Sequence, residues 1–365
     1  MKIEKETLSR IASLRMQNQH LSNASFSSPK EIVSWMGAMQ AQDYVMAKWA
    51  IGCRLISATD LLIEKAIAAG DIVRTHLLRP TWHFVAAEDL TWLLQLTAPQ
   101  VKAAMRSNDK RLGITEETFS KTNRLIAKIL EANEFAPRVL IQSSLEKSKI
   151  PTGENRLAHY LMRAELDGIA CNGPTINKER TYALIDKWIT RKKQITGEEA
   201  LVELVNRYFQ SHGPASIKDF CWWSGLPITQ AKTGIEACGN ELEQLVLSDT
   251  FYYYKLKPNN PVSPANTLRM LAGYDEFIIG YSDRSAVLRN DYNRQVISTN
   301  GIFKPVIIDK NKVVGLWNKT IANNKIVIGF DFFNPAKAQR VKIKKEVKAL
   351  QLFYNIPQVQ VPDSW

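Results

Sequence analysis

Three times along this chain a set of helix-forming segments closes on a glycine and hands over to a β-prone ribbon; the closing residues are Gly70, Gly168 and Gly239. A glycine just past the last apolar-periodic residue stops a helix, because it enters the left-handed region without a Cβ penalty. The first pass predicts helices over Lys5–Leu21, Pro29–Met39, Tyr44–Leu55 and Leu61–Ala69. Asp43 and Thr59 or Asp60 stand as N-caps of the last two. Ile72–Leu78 and Thr81–Val85 then read as strands joined through Arg79-Pro80, with a helix over Glu88–Ala104 beyond. The second pass gives helices at Thr118–Asn133, Pro137–Lys147 and Glu154–Asp167, and a ribbon over Ile169–Leu184 turning at Asn172-Gly173-Pro174. The third gives Glu198–Ser211, Ser216–Trp223 and Ile228–Cys238, with Leu242–Leu247 paired to Thr250–Leu256.

Three helices followed by a ribbon is the order of a winged helix, a variant of the helix-turn-helix DNA reader. The intervals are unequal, so the architecture repeats and the sequence does not, unlike a solenoid. The expected fold class is α+β: tandem winged-helix units over 1–110, 111–192 and 193–258, then a β-rich C-terminal region over 259–365. Pro258–Pro264 reads as the linker before that region. Ile302–Ile308, Lys312–Trp317 and Lys325–Phe330 are its short strands, and a basic helix over Pro335–Leu352 ends it.

Charge narrows the partners. Lys plus Arg number 48 against 36 Asp plus Glu, a net charge of +12. Such a surplus points to a polyanion, double-stranded DNA first among them given the repeated units; the alternative is a merely basic, soluble protein. The four cysteines, Cys53, Cys171, Cys221 and Cys238, form no Cys-x-x-Cys pair and sit among apolar neighbours. That composition fits buried thiols in a reducing compartment and gives no metal site. Met1–Arg10 has no apolar core of a signal peptide, and no apolar run is long enough to span a bilayer. The expectation is a cytoplasmic, nucleoid-associated protein, monomeric because no heptad run is evident, with no membrane partner. There is no Walker loop, dinucleotide glycine fingerprint, Gly-x-Ser-x-Gly elbow or His-Glu-x-x-His, so no cofactor is expected.

Two groups of residues can carry chemistry. Met39-Gln40-Ala41-Gln42-Asp43 lies where one helical stretch hands over to the next. In extended chain, residues i and i+2 point the same way, so Gln40 and Gln42 would offer two carboxamides to one point. An amide is a far poorer base than a carboxylate, yet its carbonyl can orient a water. That suffices only where the leaving group departs almost unaided, as an N7- or N3-alkylated purine does, since it is already cationic and leaves neutral. The alternative is that both glutamines make local caps and hydrogen bonds. The second group is the ribbon Arg74–His83. Period two turns Arg74, His76 and Leu78 one way, puts Arg79 at the tip, and gives Thr81 and His83 one face opposite Trp82. Arg74, His76, Arg79, Thr81 and His83 are the expected DNA contacts, with Trp82 as core. Trp222 and Trp223 could stack on bases but are read as core, with Asp219 as a cap. Asp275, Glu276, Asp283 and Arg284 read as a local ion-pair network, and the cationic tail from Lys337 to Lys348 as a solvated helix face.

Four segments, in order, resemble the AlkZ/YcaQ family of winged-helix DNA glycosylases: Met39–Asp43, Arg74–Val85 with Ala87–Leu90, Arg207–Leu226, and Leu271–Glu276. The resemblance implies tandem winged-helix units around duplex DNA and hydrolysis of the N-glycosidic bond of alkylated purines, with crosslink unhooking in some members. It implies that Gln40-Ala41-Gln42 is the catalytic motif of the AlkZ-like, glutamine–apolar–glutamine branch; Asp43 falls one residue late for the carboxylate of the other branch. The expected activity is therefore monofunctional, with Gln42 aiming water at the anomeric carbon and Gln40 fixing that water or a sugar phosphate. The rival expectation is a non-catalytic winged-helix regulator or damage binder with the same charge and repeats.

Overall fold

The computed structural model describes residues 2–255, 267–334 and 340–362. After an N-terminal helix α1 (Lys2–Asn18), the chain runs α2 (Pro29–Met36), β1 (Met39–Gln40), α3 (Tyr44–Gly52), α4 (Asp60–Ala68), β2 (Ile72–Leu77) and β3 (Thr81–Ala86). The long α5 (Leu90–Arg111) leads to α6 (Glu116–Ala132), β4 (Ala136–Pro137), α7 (Arg138–Lys147), α8 (Arg156–Leu166), β5 (Ala170–Ile176) and β6 (Glu179–Leu184). The order helix–strand–helix–helix–strand–strand thus occurs twice, and in both the short first strand joins the outer side of the hairpin: β1-β3-β2 and β4-β6-β5. A short α9 (Ile185–Trp188) precedes α10 (Gly197–Ser211), α11 (Ile217–Ser224), α12 (Ile228–Cys238), β7 (Glu243–Leu247) and β8 (Thr250–Tyr254). Here the first strand has shrunk to one bridge, Ala215 to Tyr253.

Local sequence explains these starts and stops. Ser28 and Glu31 close a reciprocal capping box on α2, Pro29 sits in its first turn, and Gly37 ends it at φ +77°. The Asp43 carboxylate accepts from the backbone N–H groups of Val45 and Met46 and starts α3; Thr59 does the same for α4. One turn differs from expectation. The second ribbon reverses at Asn177-Lys178, both left-handed, whereas Asn172-Gly173-Pro174 is a bulge inside β5. Pro174 has no N–H for the ladder, its carbonyl accepts from the Thr181 hydroxyl at 2.7 Å, and a Cβ on Gly173 would lie 2.7 Å from that hydroxyl oxygen.

Beyond residue 267 the chain builds a sheet of order β13-β12-β11-β10-β9 from β9 (Leu268–Leu271), β10 (Val306–Asp309), β11 (Lys312–Ala322), β12 (Lys325–Phe332) and β13 (Gln358–Gln360). Short α13 (Glu276–Ile279) and α14 (Asn293–Val296) interrupt it, and α15 (Arg340–Tyr354) covers it. The expected linker Pro258–Pro264 and the first residues of the expected last helix lie outside the described residues.

The cores cross the expected boundaries. Trp49, Ile51 and Phe84 of the first repeat pack in one cluster with Met270, Trp317 and Phe353. Val73, Leu77 and Val85 pack with Trp92, Tyr208, Phe209 and Trp223. Helix α1 packs through Ile11, Ala12 and Met16 against Phe277, Val306 and Ile308. The β2–β3 hairpin is therefore covered on both faces, and its apolar residues enter two cores.

Candidate active site

Extended backbone at β1 sends Met39 and Ala41 into the core and turns Gln40 and Gln42 the other way. Gln40 pairs across the ladder with His83, and His83 with Thr75. Gln40, Gln42, Thr81 and His83 therefore lie along one face, with Arg79 at the tip.

The two glutamines have different surroundings. Gln40 is 4% exposed and Gln42 is exposed. The Gln40 backbone N–H donates to Glu276 Oε1 at 2.6 Å, and its side-chain Oε1 accepts from Arg79 Nη2 at 2.8 Å. A guanidinium only donates, so the carbonyl must face it and the Gln40 NH₂ faces away. Gln42 accepts from the Trp82 backbone N–H at 3.4 Å, a long bond that leaves its carboxamide available to solvent. Asp43 uses its carboxylate on the helix cap.

Arg74 and His76, expected to hold phosphate, are 3% and 6% exposed and already engaged, which corrects that expectation. Arg74 donates to the Ala41 carbonyl at 3.0 Å and to Asn172 Oδ1 at 3.0 Å, and lies 4.0 Å over the Trp82 ring. Burial, aided by nearby Arg180, pushes its pKa down to about 10. His76 Nδ1 is 2.7 Å from Glu165 Oε2, which also receives the His76 backbone N–H. The reason is ladder parity: His76 pairs with Trp82 and Arg74 with Phe84, so both face the second repeat, away from Gln40.

Arg79 is half-buried, and desolvation lowers its pKa. Its Nη1 donates to the Trp222 carbonyl at 3.0 Å, tying the hairpin tip to α11. The approach is close: a Cβ on Gly225 would sit 2.2 Å from the Leu78 carbonyl oxygen. Thr81 is partly exposed, but His83, also an expected DNA contact, is fully buried, which corrects that expectation as well. His83 Nδ1 lies 3.0 Å from the Thr81 carbonyl, so that nitrogen carries the proton; burial, with Arg79 nearby, holds its pKa well below 6.5 and the ring neutral.

Glu276 ties three segments together and is not part of a local network. Besides the Gln40 N–H it accepts from Trp223 Nε1 at 3.1 Å and lies 3.4 Å from His212 Nε2. Burial lowers the His212 pKa despite that neighbour. Asp275 pairs with both terminal nitrogens of fully buried Arg54, at 2.7 and 2.9 Å. Trp223 is core as expected, whereas Trp222 is 43% exposed. Adjacent helical residues differ by about 100° in direction, so a tryptophan doublet sends one ring outward; that was the available signal. Among the described residues, no group of three or more His, Cys, Asp or Glu side chains could hold a metal, and no helix is long and apolar enough to cross a membrane.

Residues 33–353 match the model of the family described as DNA glycosylase AlkZ-like. The interstrand DNA cross-link repair glycosylase of Streptomyces sahachiroi is 21% identical over 327 residues, covering 86% of this chain and 88% of that protein. The solved structure of Streptomyces sahachiroi DNA glycosylase AlkZ superposes with a TM-score of 0.82 at 18% identity, covering 97% of this chain and 99% of that one.

Proposed function

Because this chain belongs to the DNA glycosylase AlkZ-like family, we propose that it hydrolyses the N-glycosidic bond of purines alkylated at N7 or N3 in double-stranded DNA, and unhooks interstrand crosslinks built on such positions. It acts as a monomer through tandem winged-helix units over 1–110, 111–192 and 193–258, with the β-rich region 259–365 closing the first unit. The repeated strand order of the first two sheets supports that division.

One observation carries the catalytic reading: Gln42 stands exposed beside a Gln40 whose carbonyl is held by Arg79 and whose backbone is held by Glu276. Gln40 thus offers its NH₂ to a sugar or phosphate oxygen, and Gln42 offers its carbonyl to a water. When the C1′–N bond breaks, its electron pair neutralises the cationic purine and leaves an oxocarbenium on the sugar. The oriented water adds to C1′ and its proton passes to solvent. Neither glutamine has to ionise, and no lysine Schiff base is required, so strand scission follows only on later alkali. Lys48, the lysine closest in sequence to the motif, is buried and paired with Asp60 and Glu64.

Incubation with a duplex containing one N7-methylguanine, then hot alkali and a denaturing gel, tests the proposal. Cleavage by wild type that disappears in Gln42→Ala, with duplex affinity retained, is the expected result. Tight binding to undamaged DNA without base release refutes the enzyme and leaves a non-catalytic binder.

A further inference from the structure

Helix α11 has a strong inward face of Phe220 and Trp223, both fully buried, yet it holds Trp222 43% exposed. That ring is fixed in place. Its Nε1–H donates to the Ile279 carbonyl at 2.8 Å, so an aromatic surface is presented in one orientation. Two guanidiniums flank it: Arg79 at 5.7 Å and Arg284 at 5.4 Å from the ring centroid.

Neither arginine has a carboxylate within ion-pair distance among the described residues. The carboxylates that face them are already used. Glu276 serves Gln40, Trp223 and His212. Asp219 accepts from the backbone of Ser216, Ser282 and Asp283 and pairs with Arg15. Arg284 donates Nε to the Ile278 carbonyl and Nη1 to the Ser282 carbonyl, while its buried Nη2 has no partner among the described residues. Burial and the nearby Arg79 push the Arg284 pKa down to about 10 although Asp219 opposes them. A phosphate beside the exposed indole would supply the negative charge that neither guanidinium has in an ion pair. The bond from Arg79 Nη1 to the Trp222 carbonyl, with Arg79 Nη2 on Gln40, fixes this surface one guanidinium away from the glutamine pair.

We propose that Trp222, Arg79 and Arg284 form a nucleobase-and-phosphate subsite, in which the indole stacks on the base beside the damaged nucleotide and the two guanidiniums hold its flanking phosphates. Stacking there holds the duplex open while the neighbouring sugar faces Gln42. The subsite rests on the glycosylase reading only for which nucleotide lies next to it. A base on an aromatic side chain contributes on the order of 1–3 kcal/mol, roughly five- to 150-fold in binding.

The experiment uses the full-length protein and a duplex with one N7-methylguanine flanked by 5-iododeoxyuridine or by 2-aminopurine. Irradiation of wild type with the iodinated duplex is expected to crosslink a peptide containing Trp222; crosslinks confined to other peptides overturn the subsite, and this arm needs no variant. With 2-aminopurine, Trp222→Leu is expected to lose the fluorescence rise seen with wild type and to slow base release at least about tenfold, while Trp222→Phe stays within about threefold. Arg284→Gln is expected to weaken binding and lower the slope of log affinity against log salt by about one. Trp222→Leu that melts as wild type does, and opens and cleaves DNA equally well, overturns the subsite and leaves the glycosylase standing. Loss of the 2-aminopurine response in Trp222→Leu, with no base release by wild type, keeps the subsite and sinks the glycosylase.

Discussion

Gln40 and Gln42 are one residue type in one motif, yet neighbours divide their work. Gln40 is buried and held at both its amide groups, whereas Gln42 keeps its carboxamide toward solvent. Gln42→Ala should therefore lower the single-turnover rate by two or more orders of magnitude, the scale expected when a group that positions a reacting water is removed, with duplex affinity within about twofold. Gln40→Ala leaves the half-buried Arg79 without one of its two acceptors and should also cost about 1 kcal/mol of stability, read from thermal melts. His83 and His212 are kept neutral by burial. Both bind protons more readily unfolded than folded, so each makes stability fall as pH drops below about 6.5, until the folded pKa is reached. His83→Gln should flatten the dependence of melting temperature on pH over that window. An unchanged slope would show that ring to be solvated. The shared face of Gln40 and Gln42 was readable from i, i+2 parity in extended chain, whereas reading them as a catalytic motif came from the family resemblance. The supports of the pair were not readable: Glu276 reaches Gln40 across 236 residues, and no local pattern reports such a contact.

The β2–β3 hairpin shows what a single element can hide. Its strands and the starts of the two helices before it were legible because periodicity, Asp43 and Thr59 act within a few residues; two helix ends were not, since the expected helices ran to Met39 and Leu55 whereas Gly37 stops α2 at Met36 and α3 ends at Gly52. Its burial was not legible, because two separate cores cover it from elements far along the chain. That is why Arg74 and His76 became internal struts when the sequence suggested phosphate ligands. The turn of the second ribbon was misread for a related reason. Asn-Gly-Pro is the stronger turn signal by composition, but Thr181 and Phe135 pack against Gly173 and leave the reversal to Asn177-Lys178. At the hairpin tip, Gly225→Ala places a Cβ against the Leu78 carbonyl at a φ of +71°. The substitution should destabilise the protein by at least about 1–3 kcal/mol. It should also slow base release, because Arg79 and Trp222 are coupled through that contact. Retention of the wild-type melting temperature would show that the tip is free to move.

The first repeat and the C-terminal sheet form one body around Trp49, whose Nε1 donates to the Met270 carbonyl at 2.7 Å. Phe353 lies against Gly52 in the same core, so Phe353→Ala should cost about 3–5 kcal/mol and unfold both regions in a single transition. Two resolved transitions by calorimetry would separate them. With a net charge of +12, duplex binding should weaken steeply with salt, in proportion to the number of phosphates neutralised, whatever the base sequence. The bond between Gln40 and Glu276 also has a consequence in time. A ribosome finishes the motif early, but the carboxylate that steadies it is translated 236 residues later. Until then a nascent chain carries Gln40 and Gln42 without that brace, so a premature stop anywhere before that codon is expected to leave the proposed catalytic pair unsupported.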